Sequence, residues 1–330
     1  MSNTIEKALQ RQKEAERLAK QTLERERQTN DGSANTQAVA PQHVDNIDST
    51  AKPEPLVTAN NTADATTSET RPSLVDYERA EKNKTFDIDM PTLEGKGFVT
   101  LHTARSQINE EYREIKRKLL ANAFGALSKT INNSNIIMVT SARPSEGKTF
   151  TAVNLAMSIA AEKDKRVLLV DADVLKPNVL KTLGLNERSG LMEYLLGEVS
   201  DLGEVMYHTN IDKLTIIPAG RSHHLSTELL ASAVMHDTIN DFSNRYPDRV
   251  VIIDTPPIIG INESAILANF AGQAVVVVEE GRSKLSDVEK SVERLNPEMA
   301  IGFVVNKSLN TSESTGYYGY HYYGGSRTND

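Results

Sequence analysis

The chain contains no cysteine. That excludes a disulfide framework, a thiolate metal site and a cysteine nucleophile, and it fits a reducing compartment. Basic charge is not in excess either: 45 acidic side chains against 37 basic ones give a formal net charge of -8 over 330 residues. A general nucleic-acid binder needs a basic surface to neutralise phosphates, so no nucleic-acid partner is expected. Long apolar runs are also missing. Ala274 to Val278 is typical of the longest, far below the ~18 residues of a membrane span. Glu6, Lys7 and Arg11 would interrupt the apolar stretch of a signal peptide. These absences predict a cytoplasmic chain made of one large domain plus extensions, or of two small domains.

What is present varies along the chain. Residues 1–28 are rich in Glu, Lys, Arg, Gln, Leu and Ala, good helix formers, and Asn3 with Glu6 has the spacing of a capping box. Their thin apolar stripe suits either a solvated helix or one that docks on a partner. Residues 29–72 hold five large aliphatics, Val39, Val44, Ile47, Leu56 and Val57. So few cannot offset ~1–2 kcal/mol of backbone entropy per residue, which predicts a disordered linker. Residues 73–103 are ambiguous: Phe86, Ile88, Met90, Leu93, Phe98, Val99 and Leu101 could pack on a domain, while Pro91, Gly95 and Gly97 break regular elements.

From residue 104 to 307 the pattern is that of a domain. Ile108, Tyr112, Ile115, Leu119 and Leu120 recur at helical spacing. Six apolar runs then read as strands: Ile136–Thr140, Arg166–Val170, Leu214–Pro218, Val250–Ile253, Ala274–Val278 and Ile301–Val305. Helices are expected between them at Thr149–Ala161, Thr227–Arg245, Glu263–Phe270 and Leu285–Leu295. Near-continuous β-branched strands alternating with amphipathic helices predict an α/β fold, a parallel sheet with helices on both faces. Residues 308–330 read as a flexible tail in which Tyr317, Tyr318, Tyr320, Tyr322 and Tyr323, half of the chain's 10 tyrosines, crowd with no aliphatic residue to pack against.

Gly147-Lys148-Thr149 follows an apolar strand and opens a helix, the context of a P-loop. Successive backbone N–H groups and the helix terminus form an anion cradle there. Lys148 would reach the β/γ-phosphates of a nucleotide and Thr149 would ligate Mg²⁺. Ala142 stands where the usual pattern has its first glycine. Two strands end in carboxylates, Asp171-Ala172-Asp173 and Asp254-Thr255-Pro256-Pro257. At the carboxyl edge of a parallel sheet such groups face the ligand crevice and offer the oxygen ligands Mg²⁺ prefers. The alternative for each aspartate is a helix cap or turn former.

These residues resemble the bacterial tyrosine kinases that control capsule and exopolysaccharide export, most of all the cytoplasmic autokinases of exosortase-linked exopolysaccharide clusters. The P-loop NTPase motifs match at Ser141, Pro144, Glu146, Gly147, Lys148 and Thr149, at Asp171, Asp173 and Lys176-Pro177, and at Asp254 and Pro257. The resemblance covers about 200 residues plus the tyrosine tail. It implies an ATP-dependent protein-tyrosine kinase in which Ser145, Glu146, Gly147, Lys148, Thr149 and Phe150 bind nucleotide. Thr149, Asp171 and Asp254 would hold Mg²⁺, Asp171 would accept the tyrosine proton, Asp173 would support the metal, and the tail tyrosines would be the acceptors. It also implies recruitment to the inner membrane by the cytoplasmic tail of a separate polysaccharide co-polymerase, reversal by a cognate phosphatase, and a ring of copies joined through a helix carrying Glu110 and Arg113. Lys116 replaces that motif's last arginine, and an ordinary surface pair of Glu110 with Arg113 is the alternative. Asn306 is expected either beside adenine or as a turn residue.

Three departures stand out. Ser145 replaces Gly or Asn, where the loop is expected to need a left-handed backbone; Phe150 replaces a second Ser or Thr; Leu175 replaces an arginine, for which Lys176 could substitute. His223 and His224 lack the spacing of metal ligands. The competing reading is a septum- or partition-type deviant Walker ATPase with Arg143 at its signature lysine position, which the tyrosine tail does not suit.

Overall fold

The computed structural model describes residues 84–100 and 106–308. The expected N-terminal helix, the linker and the tyrosine tail lie outside the described residues.

An eight-stranded sheet has the order β1-β4-β5-β3-β6-β2-β7-β8. Its strands are β1 (Thr85–Phe86), β2 (Ile136–Ser141), β3 (Arg166–Asp171), β4 (Tyr207–Thr209), β5 (Leu214–Ile217), β6 (Arg249–Asp254), β7 (Gln273–Glu279) and β8 (Ala300–Asn306). The six strands read from the sequence are β2, β3, β5, β6, β7 and β8, and they run mutually parallel. Every residue of β2 is buried, the pattern of a strand covered on both faces. Because all six point the same way, the carboxyl ends of β2, β3 and β6 open on one edge.

Helices cover both faces. On one lie α2 (Gln107–Phe124) and α3 (Lys148–Ala160), packed over Ile137, Val139, Leu169 and Ile252. The other side is built by α5 (Leu191–Leu195), α6 (Ser226–Leu230), α7 (Ala233–Asn244) and α8 (Asn262–Ala268), over Met138, Leu168, Val251 and Ile253. Short α1 (Met90–Gly95) and α4 (Val179–Leu183) and the amphipathic α9 (Leu285–Glu293) complete the set.

Local chemistry explains the differences from expectation. The helix expected at Thr227–Arg245 is two helices, because Ser232 takes an extended backbone and its side chain accepts from Met235 N–H, starting α7 afresh. Residues 84–100, ambiguous in sequence, join the domain. β1 pairs with β4, the Asn210 side chain bonds both N–H and C=O of Ile88, and Phe86, Ile88, Leu93, Phe98 and Val99 are buried. Val99 N–H ends on Asn154 Oδ1 of α3 at 2.6 Å, so this lead-in touches the helix that starts at the P-loop.

Candidate active site

The loop between β2 and α3 holds its shape through hydrogen bonds from surrounding side chains. Ser145 has φ +70°, the left-handed backbone expected of it. Gly147 has φ +99°, and a Cβ there would lie 1.9 Å from Asn306 Nδ2, so only glycine fits. Ala142 keeps negative φ, hence an alanine serves where the common pattern has glycine. Glu146 is buried; its carboxylate accepts from Arg143 N–H at 2.7 Å and from the Ser283 hydroxyl. Its role is to brace the loop, and its side chain does not enter the cradle. Phe150 likewise contributes its ring elsewhere, tilted against Phe98 with centroids 4.7 Å apart. Asn306 donates from Nδ2 to Glu146 C=O at 3.0 Å, which ties the end of β8 to the loop.

Three of these braces were not legible in the sequence. Arg143 pairs in bidentate fashion with Asp287 of α9, at 2.8 and 3.1 Å. Ser283 and Lys307 also hold the loop, Lys307 Nζ donating to Ser145 C=O at 2.7 Å. They come from segments more than 130 residues away, and an acidic residue in a first helical turn is too common a pattern to signal such a contact.

Inside the cradle, Lys148 Nζ lies 2.5 Å from Asp173 Oδ2 and 4.0 Å from Asp254 Oδ1. Burial acts to lower the lysine pKa, but Asp254 and Asp173 outweigh it and the ammonium is held above its ordinary value. Thr149 Oγ1 donates to Asp254 Oδ2 at 2.6 Å. Asp254 Oδ1 is buried without a hydrogen-bond partner. Burial raises Asp254 to about 6, with Lys148 and Thr149 opposing. An orphaned carboxylate oxygen beside a threonine hydroxyl suits a hard cation that takes oxygen ligands. Among the described residues no group of three or more His, Asp or Glu gathers as a metal cage, so a cation here would draw its remaining ligands from phosphate and water.

Asp171, read from the sequence as a metal ligand and base, accepts three backbone hydrogen bonds. Its Oδ1 accepts from Asp173 N–H, and its Oδ2 accepts from Asn178 and Val179 N–H at 3.1 and 3.0 Å. It therefore also anchors the loop that enters α4. Burial, then the Asp254 charge, pushes it up to about 8, against the pull of those N–H groups. It lines a cavity of about 950 Å³ that continues past Asn178, Lys181, Arg188 and Arg221. Leu175 is 46% exposed, and Lys176 gives its backbone N–H to Asp173 Oδ1. His223 and His224 stack with centroids 4.3 Å apart in the loop after β5 and join no metal cluster.

On α2, Arg113 bonds Glu110 one turn back, both half exposed. Lys116 turns inward: it is 6% exposed and donates to Ser158 C=O and Glu162 Oε1, each at 2.7 Å. It is an anchor of α2 on α3, at the position where lysine replaces the motif's last arginine.

A strand–loop–helix cradle at the carboxyl edge of a parallel sheet, with a lysine, a threonine and two strand-end aspartates, defines a P-loop nucleotide-binding protein. A family model described as an AAA domain matches residues 134–299. The tyrosine-protein kinase YwqD of Bacillus subtilis is 31% identical over 227 residues, 68% of this chain and 92% of the relative. The tyrosine-protein kinase CpsD of Streptococcus agalactiae is 34% identical over 191 residues, 56% of this chain and 78% of that one. With the tyrosine-protein kinase wzc of Salmonella typhimurium the identity is 34% over 192 residues, but the chain spans about a quarter, 26%, of that protein. The solved kinase domain of the Escherichia coli tyrosine kinase ETK superposes with a TM-score of 0.53 at 25% identity, covering 71% of this chain and 94% of that domain. The chain belongs to the bacterial tyrosine-protein kinase family.

Proposed function

We propose that the chain is an ATP-dependent protein-tyrosine autokinase that transfers the γ-phosphoryl group to its tail tyrosines and thereby regulates exopolysaccharide or capsule export. The observation that carries the reading is the cluster of Lys148, Thr149, Asp173 and Asp254 inside the cradle, with Asp171 beside it at the mouth of a cavity. On ATP binding Lys148 exchanges Asp173 for the β/γ-phosphates, and loop N–H groups orient the phosphate chain. Thr149 and Asp254 would hold Mg²⁺, which when bound supplies charge neutralisation on the phosphates. A tyrosine hydroxyl entering past Asp171 attacks the γ-phosphorus as the bond to the bridging oxygen breaks and ADP leaves. Asp171, in its ionised form, takes the hydroxyl proton. Asp173 receives Lys148 back between turnovers.

The acceptors in this reading are Tyr317, Tyr318, Tyr320, Tyr322 and Tyr323, presented by one copy to the next in a ring that uses the exposed Glu110–Arg113 face of α2. Among the described residues no helix is long and apolar enough to cross a membrane. The reading assigns membrane recruitment to a partner, the cytoplasmic tail of a polysaccharide co-polymerase, and reversal to a phosphatase. The test is incubation of the purified chain with Mg-ATP and an anti-phosphotyrosine blot. Wild type should label and Lys148→Met should fall to background; a Lys148→Met variant that keeps most of the label refutes the P-loop assignment.

A further inference from the structure

Among the described residues β8 is an edge strand, and its own sequence carries none of the usual protections. No strand among the described residues pairs with it beyond β7. Ala300 N–H bonds to Gly272 C=O and Asn306 C=O accepts from Glu280 N–H, so residues 300, 302, 304 and 306 face β7. The N–H and C=O groups of Ile301, Phe303 and Val305 therefore point outward. The strand has seven residues, with no charge and no proline, and Phe303 and Val305 are 52% and 60% exposed. Long, flat, apolar edges are normally blunted because they recruit another strand. Both sides of this edge are apolar. Phe303 and Val305 share one side by strand alternation. Val304 packs on the opposite side, where a groove of about 320 Å³ runs along α2 and is lined by Ile108, Tyr112 and Ile115.

We propose that residues 317–323 of the chain's own tail add to β8 as an antiparallel strand. The tail follows one residue after β8, and residues 307–316 form a ten-residue connection rich in Asn, Ser, Thr and Gly, long enough to turn the chain back. The tyrosine stretch has seven residues, as β8 has. Tyrosine favours strands, and a stretch without aliphatic residues needs an outside platform to pack on. Extended, it places Tyr318, Tyr320 and Tyr322 on one side and Tyr317 and Tyr323 on the other, so each side meets apolar surface. The short tether gives the tail an effective concentration near millimolar, which favours it over a second copy. Release follows from charge and rests on the autokinase reading. Each phosphotyrosine adds about -1.5 to -2, and the charged residues lining the groove are Glu111, Glu114 and Lys118, net negative. The docked strand is thus a store for the unmodified tail.

Amide hydrogen exchange on the full, phosphatase-treated chain without nucleotide tests this. In wild type, Ile301, Phe303 and Val305 should be protected. In the Gly319→Pro/Tyr320→Pro variant they should exchange at least tenfold faster, because one of two adjacent residues must donate to β8 whatever the register. Gly302 and Val304, bonded to β7, should not change. Three results overturn the proposal: no protection in wild type, protection kept in the proline variant, or protection that fades on dilution, which would make a second copy the occupant. A second arm adds Mg-ATP. Phosphotyrosine with protection retained overturns the release. Absence of phosphotyrosine refutes the autokinase reading and leaves the docking result standing.

Discussion

Ser145 holds a left-handed backbone at φ +70° and is exposed, with no side-chain bond to compensate. A left-handed L-residue costs roughly 1–2 kcal/mol, part of which glycine gives back as backbone entropy. Ser145→Gly should raise stability by about 1 kcal/mol, or ~2–4 °C in Tm for a domain of this size, as calorimetry would read. An unchanged or lower Tm would mean that the Lys307 contact to the Ser145 carbonyl depends on the serine. Asp171 calls for a different test. An asparagine there keeps one acceptor oxygen and turns an NH₂ group toward backbone N–H donors, so Asp171→Asn should lose about 1–3 kcal/mol along with phosphotransfer. The pH dependence follows from its raised pKa. Between the ordinary 3.8 and about 8, the folded chain keeps a proton that the unfolded chain releases. Stability of the nucleotide-free protein from this group therefore falls as pH rises through that window. Melting at pH 5, 6, 7 and 8 should show the fall in wild type and a shallower slope in Asp171→Asn.

At the scale of the element, α2 has two working faces. Tyr112, Lys116, Leu119 and Ala123 are buried, and burial pushes the Tyr112 hydroxyl up to about 12, so that ring is packing and not an acceptor. Lys116 ties the helix to α3, two turns and more beyond the P-loop. The outer face shows Glu110 and Arg113. Lys116→Ala should therefore cost about 1–3 kcal/mol by stranding the Ser158 carbonyl while leaving sedimentation mass unchanged. Arg113→Ala should do the opposite: stability within about 0.5 kcal/mol, as for surface positions, but a smaller assembly in sedimentation. If Arg113→Ala sediments as wild type does, the pair with Glu110 is only a surface ion pair.

For the whole molecule, the question is where phosphate ends up. Among the described tyrosines Tyr112 and Tyr207 are buried, Tyr194 is half-buried, and Tyr246 is 38% exposed under the Arg249 guanidinium. Changing Tyr317, Tyr318, Tyr320, Tyr322 and Tyr323 together to Phe should remove nearly all label while Tm and ATP binding stay as in wild type. Phosphopeptide mapping decides it: label persisting on Tyr246 or Tyr77 would make the tail a bystander.

Much of this molecule could be read in one dimension. Strands buried on both faces carry unbroken β-branched runs, so β2, β3, β5, β6, β7 and β8 announce themselves, and a P-loop needs its glycine, lysine and threonine adjacent in sequence. The left-handed site at Ser145 was legible for the same reason, since the loop's shape is local. The tertiary structure alone decided what depends on distant partners. β1 and β4 are too short to carry a pattern and exist through pairing and the Asn210 clamp. Whether Lys116 faces a neighbour or its own α3 is a matter of helix rotation, set by packing. The braces Asp287, Ser283 and Lys307 reach the loop only once the sheet brings β7 and β8 beside β2. That Asp171 also anchors the entry to α4 depends on N–H donors seven and eight residues on, and residue type does not reveal it.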